Sequence, residues 1–467
     1  MENKQKGLNI SARSFIAAIV IIFLLMLATY ILTFVVPGGT YTRIPDENGN
    51  MVIDAASGFI SVKGGLPFWK WILSPLLVLG ADGSAALIAV IVFLLVIGGV
   101  FNALTDHGLM NHMLDRLTQR FGGVRYRLMA VLILFFMAMG SLVGSFEEIV
   151  PLVPIVVSLA VSLGWDAQTG VAMSLLAVGC GFAAGVANPF TIGVAQTLAG
   201  LPMFSGIWLR LLSFVCIYFL LLGFVSLHAR RHSRTPAGNG RKTNRKPDRK
   251  MDAGLRIFAV LIGLGIAGVL ASGFVSALRD YTMIIVAVMF LIAGISSCLV
   301  SGMPGSELRR SFFRGVVAVS PSVLMILMAA SIKYTMVEGK ILDTLLHSAV
   351  LGGGNMSRAQ LILFIYLICL AMNFFIPSGS AKAFLLIPLI VPLARLFGIS
   401  PQLCIVAFAF GDGFSNVFYP TNPALLISLG LANVSYGKWA AYSWKFQGLN
   451  LLLTSGLLLL GLALGYA

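Results

Sequence analysis

The chain has 467 residues, of which 58% are hydrophobic and only 10% charged, and a net charge of +15; its mean hydropathy is +0.95. A soluble domain carries about 25% charged residues, so this composition excludes a soluble globular protein and predicts one integral, polytopic membrane unit, all-α in class. The positive balance does not point to nucleic acid, because nine basic residues crowd into the polar stretch "ARRHSRTPAGNGRKTNRKPDRK", and basic loops between spans report cytoplasmic location.

A membrane-spanning helix needs about 20 apolar residues. In chain order, candidate spans are 14–36, 83–105, 168–200, 206–227, 255–274, 282–301, 315–337, 401–431 and 440–466. The first run lacks a small-residue cleavage site and is expected to be a retained helix, not a signal peptide. The polar, Gly-rich loop 37–66 is expected to be an external excursion, with a short hairpin and no chemistry. Two further segments, 127–163 and 358–397, are too long for one pass. Each is interrupted, by "GSLVGSFEE" and "IPSGSAKA", and is expected to be a helix, a tip and a returning helix.

Clusters of Lys and Arg fix the expected orientation. Lys4, Lys6 and Arg13 place the N-terminus inside; Arg116, Arg120, Arg125 and Arg127 mark an inner end after 83–105. The linker 230–254 is inside, and Arg309, Arg310 and Arg314 mark another inner loop. These agree if 127–163 enters from and leaves to the cytoplasm, as a re-entrant hairpin or a pair of full spans, which parity does not separate. The C-terminus then ends outside.

A repeat divides the chain. At a shift of 234, Pro154 meets Pro388, Gly164 meets Gly398, Gln168 meets Gln402, Gly179 meets Gly413, and Asn188-Pro189 meets Asn422-Pro423. At 231, Gly108 meets Gly339, Gly122-Gly123 meets Gly353-Gly354, Arg127 meets Arg358, and Gly206 and Trp208 meet Gly437 and Trp439. The expected organisation is a first half 1–229, the linker 230–254 and a second half 255–467. Because the halves start on opposite sides, this is an inverted-topology repeat, a plan recurrent in secondary transporters. Each half supplies an interfacial amphipathic helix (109–121 and 340–350), a hairpin and a broken helix.

Irregular backbone at membrane depth is tolerated only where protein or a watery cavity covers it. The broken helices run into "GCGFAAGVANPFT" and "GDGFSNVFYPTNP", where Pro189 and Pro423 cannot donate to a helix ladder. Asn188, Thr191, Asn416, Thr421 and Asn422 are the candidate site residues there. The tips add Ser145, Glu147 and Glu148, then Ser378, Gly379, Ser380 and Lys382. A charge at mid-bilayer costs about 2.5–3.5 kcal/mol on insertion scales, so Glu147, Glu148, Lys382 and Asp412 belong at a site or in opposite-charge pairs; alternatively the two acids simply open the following helix at its positive end. Hard oxygens at Gly144, Ser145, Asn188, Ser378, Ser380 and Asn422 suit a coupling Na+; a proton on a tip acid is the other coupling route. Lys333, near a span end, is expected to snorkel.

The sequence contains no HExxH, CxxC or GxxxxGK[ST], so zinc proteolysis, thiol redox chemistry and ATP coupling lack support, and no enzyme is expected. The five cysteines all lie in apolar runs.

At "GSFEEIVPLVP", "ANPFTIGVAQTLAG", "PSGSAKA" and "FGDGFSNVFYPTN", the chain resembles the YfcC-like/DcuC-like carriers of the ion transporter superfamily over nearly its whole length. That superfamily includes the AbgT-type exporters. The resemblance implies nine spans with two opposed re-entrant hairpins, a homodimer, and a transport domain sliding against a scaffold. It also implies that Glu147, Glu148, Asn188, Ser378, Ser380, Asp412 and Asn422 line the site. Lys382 departs from the YfcC-like pattern, where a neutral amide is common, and argues against a purely cationic solute.

The expectation is a secondary active transporter of a small carboxylate-bearing solute in a bacterial-type inner membrane. It would be coupled to Na+ or H+, or work by exchange, with no other cofactor and no nucleic-acid partner. Acids beside Lys382 suit a zwitterion, an amino acid or short peptide. Lys382 or a helix N-terminus would hold the carboxylate, and Asp412 or a tip glutamate the amine. A dicarboxylate carrier and a Na+/H+ exchanger without organic substrate are the rival readings.

Overall fold

The computed structural model describes residues 12–45, 51–53, 58–81, 84–144, 146–202, 204–233, 248–272, 282–351 and 356–466. Helices dominate them. Eight, by length and apolar composition, are able to cross a membrane, and three further apolar helices are shorter. This is a multi-pass membrane protein.

The polar excursion after the first helix, Ala12–Val35, forms two small antiparallel ladders: Gly39–Tyr41 with Phe59–Ser61, and Arg43–Pro45 with Met51–Ile53. It is clasped to the second half of the chain. Arg43 forms a salt bridge to Asp343 at 2.8 Å, the Tyr41 N–H donates to Asp343 Oδ2 at 2.9 Å, and the Tyr41 hydroxyl meets His347 Nδ1 at 2.8 Å. Asp343 and His347 lie on Leu342–Leu351, the second half's amphipathic helix. Its first-half counterpart is Leu109–Phe121, whose His112 and Arg116 hold Asp252 at 2.7 and 2.6 Å.

Helices Ser84–Asp106, Arg249–Ser272, Thr282–Val300 and Gly305–Val319 pack into one bundle. A Cβ on Gly315 would strike the Gly98 carbonyl oxygen, so small residues let two backbones touch, a usual device where lipid gives no hydrophobic drive. The span expected at 315–337 lies within the longer apolar helix Gly305–Glu338, in which Ser320 separates Gly305–Val319 from Pro321–Glu338. Pro321 has no N–H to continue a ladder and suits a first helical turn. Consequently Arg309, Arg310 and Arg314 lie on an amphipathic helix, not in a loop; Arg314 reaches Asp106 at 3.0 Å.

Both long interrupted segments are helical hairpins. The first joins Arg125–Ala138, extended through Met139–Val143, to Glu147–Leu152 and Val153–Ser162. The second joins Arg358–Phe375 to Gly379–Leu396. An arginine pins the base of each: Arg125 donates to the Leu163 carbonyl and Arg358 to the Gly398 carbonyl. The repeat-matched Gly164 and Gly398 follow at φ +87° and +64°, a region glycine enters freely.

The broken helices are the innermost elements. In Ala167–Ala184 89% of the residues are buried, whereas in the outer Ile207–Arg231 only 22% of its most apolar stretch is. They cross at their repeat-matched glycines: a Cβ on Gly413 would overlap the Ala183 backbone, and one on Gly179 would meet Val417 and the Gly413 carbonyl. The repeat also shows in a reciprocal contact. Gln168 donates to the Lys438 carbonyl at 2.9 Å, while Gln402 binds Ser205. Lys438 lies within the matched Gly437–Trp439 segment and Ser205 immediately before the matched Gly206–Trp208 segment. Each half thus grips the start of the other half's closing helix: Ser205 just before Ile207–Arg231, and Lys438 in the first turn of Tyr436–Ala463.

Candidate substrate site

At the first tip, the helix ends at Gly144 in the left-handed region, φ +77°. Ser141, one turn earlier, is fully buried. Its hydroxyl accepts the Val186 N–H at 3.0 Å and its carbonyl accepts the Ala187 N–H at 3.0 Å. Those two amides belong to the first break, where Ala177–Ala184 stops at Gly185, φ +48°. Hydrogen bonds from the tip thereby satisfy the broken backbone, as burial away from water requires. Asn188 is fully buried, and its side-chain oxygen accepts the Thr191 N–H at 3.3 Å.

The second tip is built differently. Arg358–Phe375 starts with a Ser357/Gln360 capping box and ends before Pro377. Ser378 stands at the N-cap of Gly379–Leu396 but makes no side-chain cap bond, leaving that helix's first amides directed outward. At the second break Pro401–Asn416 ends, and Asn422 starts Pro423–Leu431 by accepting the Leu425 N–H at 3.2 Å. Asn422 also donates to Asn416 Oδ1 at 3.1 Å.

A cavity of about 350 Å³ lies where both tips meet the second break. Its polar lining includes Glu147, Lys333, Ser378, Ser380, Asn416 and Thr421, with Gly144, Thr191, Gly379 and Asn422 beside them. Leu87, Val90, Ala329 and Ala330 supply an apolar wall from Ser84–Asp106 and Pro321–Glu338. The hydroxyls of Thr191 and Thr421 are buried and find no hydrogen-bond partner among the described residues. Glu147 opens the short helix Glu147–Leu152, so it is both a helix-start acid and a cavity residue. Lys333, on Pro321–Glu338, is among the residues that line the cavity.

Lys382 and Asp412 lie together, but behind this cavity rather than in its lining. Both side chains are fully buried and 2.7 Å apart. Lys382 also donates to Asn373 Oδ1. Asn373 Nδ2 is offered to the Asp412 carbonyl at 3.0 Å, Ser415 Oγ at 2.7 Å and Asn416 Oδ1 at 2.9 Å. The pair satisfies the rule that buried charges are paired, and Asn373 links it to the cavity residue Asn416. Gly379 makes the close approach possible, because a Cβ there would collide with Asp412 Oδ2 and Thr191 Cγ2.

The structure thus gathers Gly144, Glu147, Thr191, Ser378, Gly379, Ser380, Asn416, Thr421 and Asn422 around one cavity. It sets Lys382 and Asp412 one layer deeper and Asn188 within the first break. Ser145 and the Glu148 side chain lie outside the described residues. Sequence reading missed Asn373 and left Lys333 out of the site. The signal for Asn373 was present: an amide isolated in the apolar run "LICLAMNFF", nine residues before a buried lysine. Among the described residues, no group of three or more His, Cys, Asp or Glu side chains could hold a metal.

Comparison with known proteins gives the family. The chain is 28% identical over 400 residues to "Putative basic amino acid antiporter YfcC" of Escherichia coli (strain K12), covering 81% of this chain and 78% of that protein. It is 24% identical over 407 residues to an uncharacterized protein of Haemophilus influenzae (strain ATCC 51907 / DSM 11121 / KW20 / Rd), covering 82% and 77%. Among solved structures, the YdaH transporter of Alcanivorax borkumensis aligns over 97% of this chain and 99% of its own at 19% identity and a TM-score of 0.45. MtrF of Neisseria gonorrhoeae aligns over 98% and 95% at 17% identity and 0.40. The family pattern described as "DcuC: C4-dicarboxylate anaerobic carrier" matches residues 15–463, and the chain therefore belongs to the DcuC family of membrane transporters.

Proposed function

We propose that this chain is a secondary active transporter of a small zwitterion, an amino acid or short peptide. One observation carries the reading: a cavity of about 350 Å³ presents an acid, Glu147, and a base, Lys333, together with the open helix start at Ser378–Ser380. Glu147 would hold the solute amine; Lys333 and the first amides of Gly379–Leu396 would hold the carboxylate. Lys382 is engaged by Asp412, so its role is to support the tip rather than to touch the solute. The name of the YfcC relative, a basic amino acid antiporter, supports an amino-acid solute and exchange.

In this reading, the chain sits in the inner membrane with its N-terminus and the 230–254 linker in the cytoplasm and its C-terminus outside. Nine spans and two opposed re-entrant hairpins form an inverted repeat, and two copies form a homodimer. The hairpins and broken helices form the moving body. The bundle of 84–106, 249–272, 282–300 and 305–319, with 321–338, is the fixed scaffold, and the cavity lies on the seam. Transport is coupled to Na+ or H+, or runs by exchange.

Counterflow of labelled amino acids into liposomes preloaded with the same solute tests the proposal. Saturable counterflow that Glu147→Gln and Lys333→Gln each abolish is the expected result. Counterflow restricted to C4-dicarboxylates would replace the zwitterion with a dianion, and Na+/H+ exchange without any organic solute would remove the solute reading altogether.

A further inference from the structure

The Lys382 ammonium is bound the way a small monovalent cation is bound. It has left water entirely, with its side chain fully buried. Around it stand the Asp412 carboxylate at 2.7 Å, the Asn373 amide oxygen, and the face of Phe408 with its centroid 5.8 Å away. Hard oxygens and an aromatic face are ligands for a cation of single charge. These groups come from three elements: Arg358–Phe375, the first turn of Gly379–Leu396, and Pro401–Asn416. The site lies directly behind the tip backbone at Gly379, one residue layer from the cavity. It belongs to one half only. In the 234-residue register, Asn373, Asp412, Ser415 and Asn416 correspond to Met139, Val178, Gly181 and Phe182, which carry no side-chain oxygen.

We propose that Lys382 is a tethered counter-cation: its ammonium permanently occupies a monovalent-cation site formed by Asp412 and Asn373, so the carrier works without Na+. The second clause rests on the transport reading above; the first does not. A mobile ion at this position would have to enter and leave as the tip moves. A lysine supplies the same charge and stays in place through the cycle.

The test uses purified full-length protein and NaCl as the probe, against choline chloride at equal ionic strength. The wild-type unfolding midpoint is expected to be the same in both salts. Lys382→Met leaves the Asp412 carboxylate without a partner, so its midpoint is expected to fall in choline chloride. NaCl should then raise it in a dose-dependent way, by about 3 °C or more. Lys382→Met/Asp412→Asn lacks the carboxylate and is expected to ignore Na+. Na+-selective stabilisation of the wild type overturns the proposal, as does a Lys382→Met protein indifferent to Na+. If Lys382→Met does not fold, the wild-type arm still decides. Solute counterflow at equal rate in Na+-free and Na+ media is the matching transport result; a rate that requires Na+ overturns Na+ independence. Absence of counterflow for every amino acid tried would remove the transport reading, while the unfolding data would still judge the tethered cation.

Discussion

Gly379 has no room for a side chain, and that single restriction sets the spacing of the second tip. With a Cβ there, Asp412 Oδ2 and Thr191 Cγ2 would both have to move. Overpacking of this kind costs about 1–3 kcal/mol, so Gly379→Ala is expected to lower the unfolding midpoint and to abolish counterflow by displacing Ser378 and Ser380. The pair behind it gives a second prediction. Asp412→Asn leaves a buried ammonium uncompensated and should destabilise by about 3–5 kcal/mol. Lys382→Met/Asp412→Leu should lose less than the sum of its single changes, measured as a double-mutant cycle. A third concerns Asp166, which caps Ala167–Val171 and meets His228 at 2.9 Å at the edge of the fold. Burial pushes its carboxyl up, but hydrogen bonds from His228 and Thr169 outweigh that and hold it at about 2, against an ordinary 3.8. A depressed acid stabilises fully above its unfolded value, so this contribution is present above about pH 4 and is lost as pH falls through about 2. His228→Ala should cost about 1 kcal/mol at pH 7 after allowance for partial exposure. The gap from wild type should close between about pH 4 and pH 2. Single residues were legible in the sequence where chemistry was scarce: a carboxylate in hydrocarbon stands out. Their partners were not, because Asn373 meets Lys382 and Asp412 only after the hairpin packs on the broken helix.

The elements owe their ends to backbone chemistry that the sequence displays. Gly144, Gly185, Pro189 and Pro423 mark interruptions where the structure has them, since these residues either enter left-handed geometry or cannot donate. Both hairpins and both broken helices were therefore readable from "GSLVGSFEE", "IPSGSAKA" and the two Asn-Pro pairs. Helix contacts were less so. Gly98 and Gly315 are unremarkable in a Gly-rich membrane chain until the two backbones are seen to touch. Gly315→Val is expected to force Ser84–Asp106 and Gly305–Val319 apart and to lower the thermal midpoint, whereas the same change at Gly305, where a Cβ meets open space, should leave it almost unchanged. The apolar run 315–337 was legible and lies within Gly305–Glu338; the helix start at Gly305 was not, because Arg309, Arg310 and Arg314 lower the hydropathy of its first turns.

For the whole molecule, the repeat was the most informative feature of the sequence. Its matched glycines, Gly179 and Gly413, fall at the crossing of the two broken helices, and its matched glutamines reach across to the opposite half. The cavity nevertheless favours one half. It draws on both tips but on the second break far more than the first, and its base comes from Pro321–Glu338. A repeat read from the sequence predicts two equivalent sites; the differing side chains at the matched positions make one. If the hairpins move against the bundle, a bifunctional thiol reagent joining Met328→Cys to Phe375→Cys, which pack in one cluster, should stop counterflow, while either single cysteine alone should not. Flux that persists in the joined protein would show that this seam does not slide.

The strap made by the first excursion has a consequence for assembly. Tyr41 and Arg43 find Asp343 and His347 about 300 positions further along the chain. At about 5–20 residues per second during synthesis, that interval is on the order of 15–60 seconds. Through it the first loop waits with an unneutralised guanidinium, and the clasp closes only after nearly three quarters of the chain, through His347, has been made.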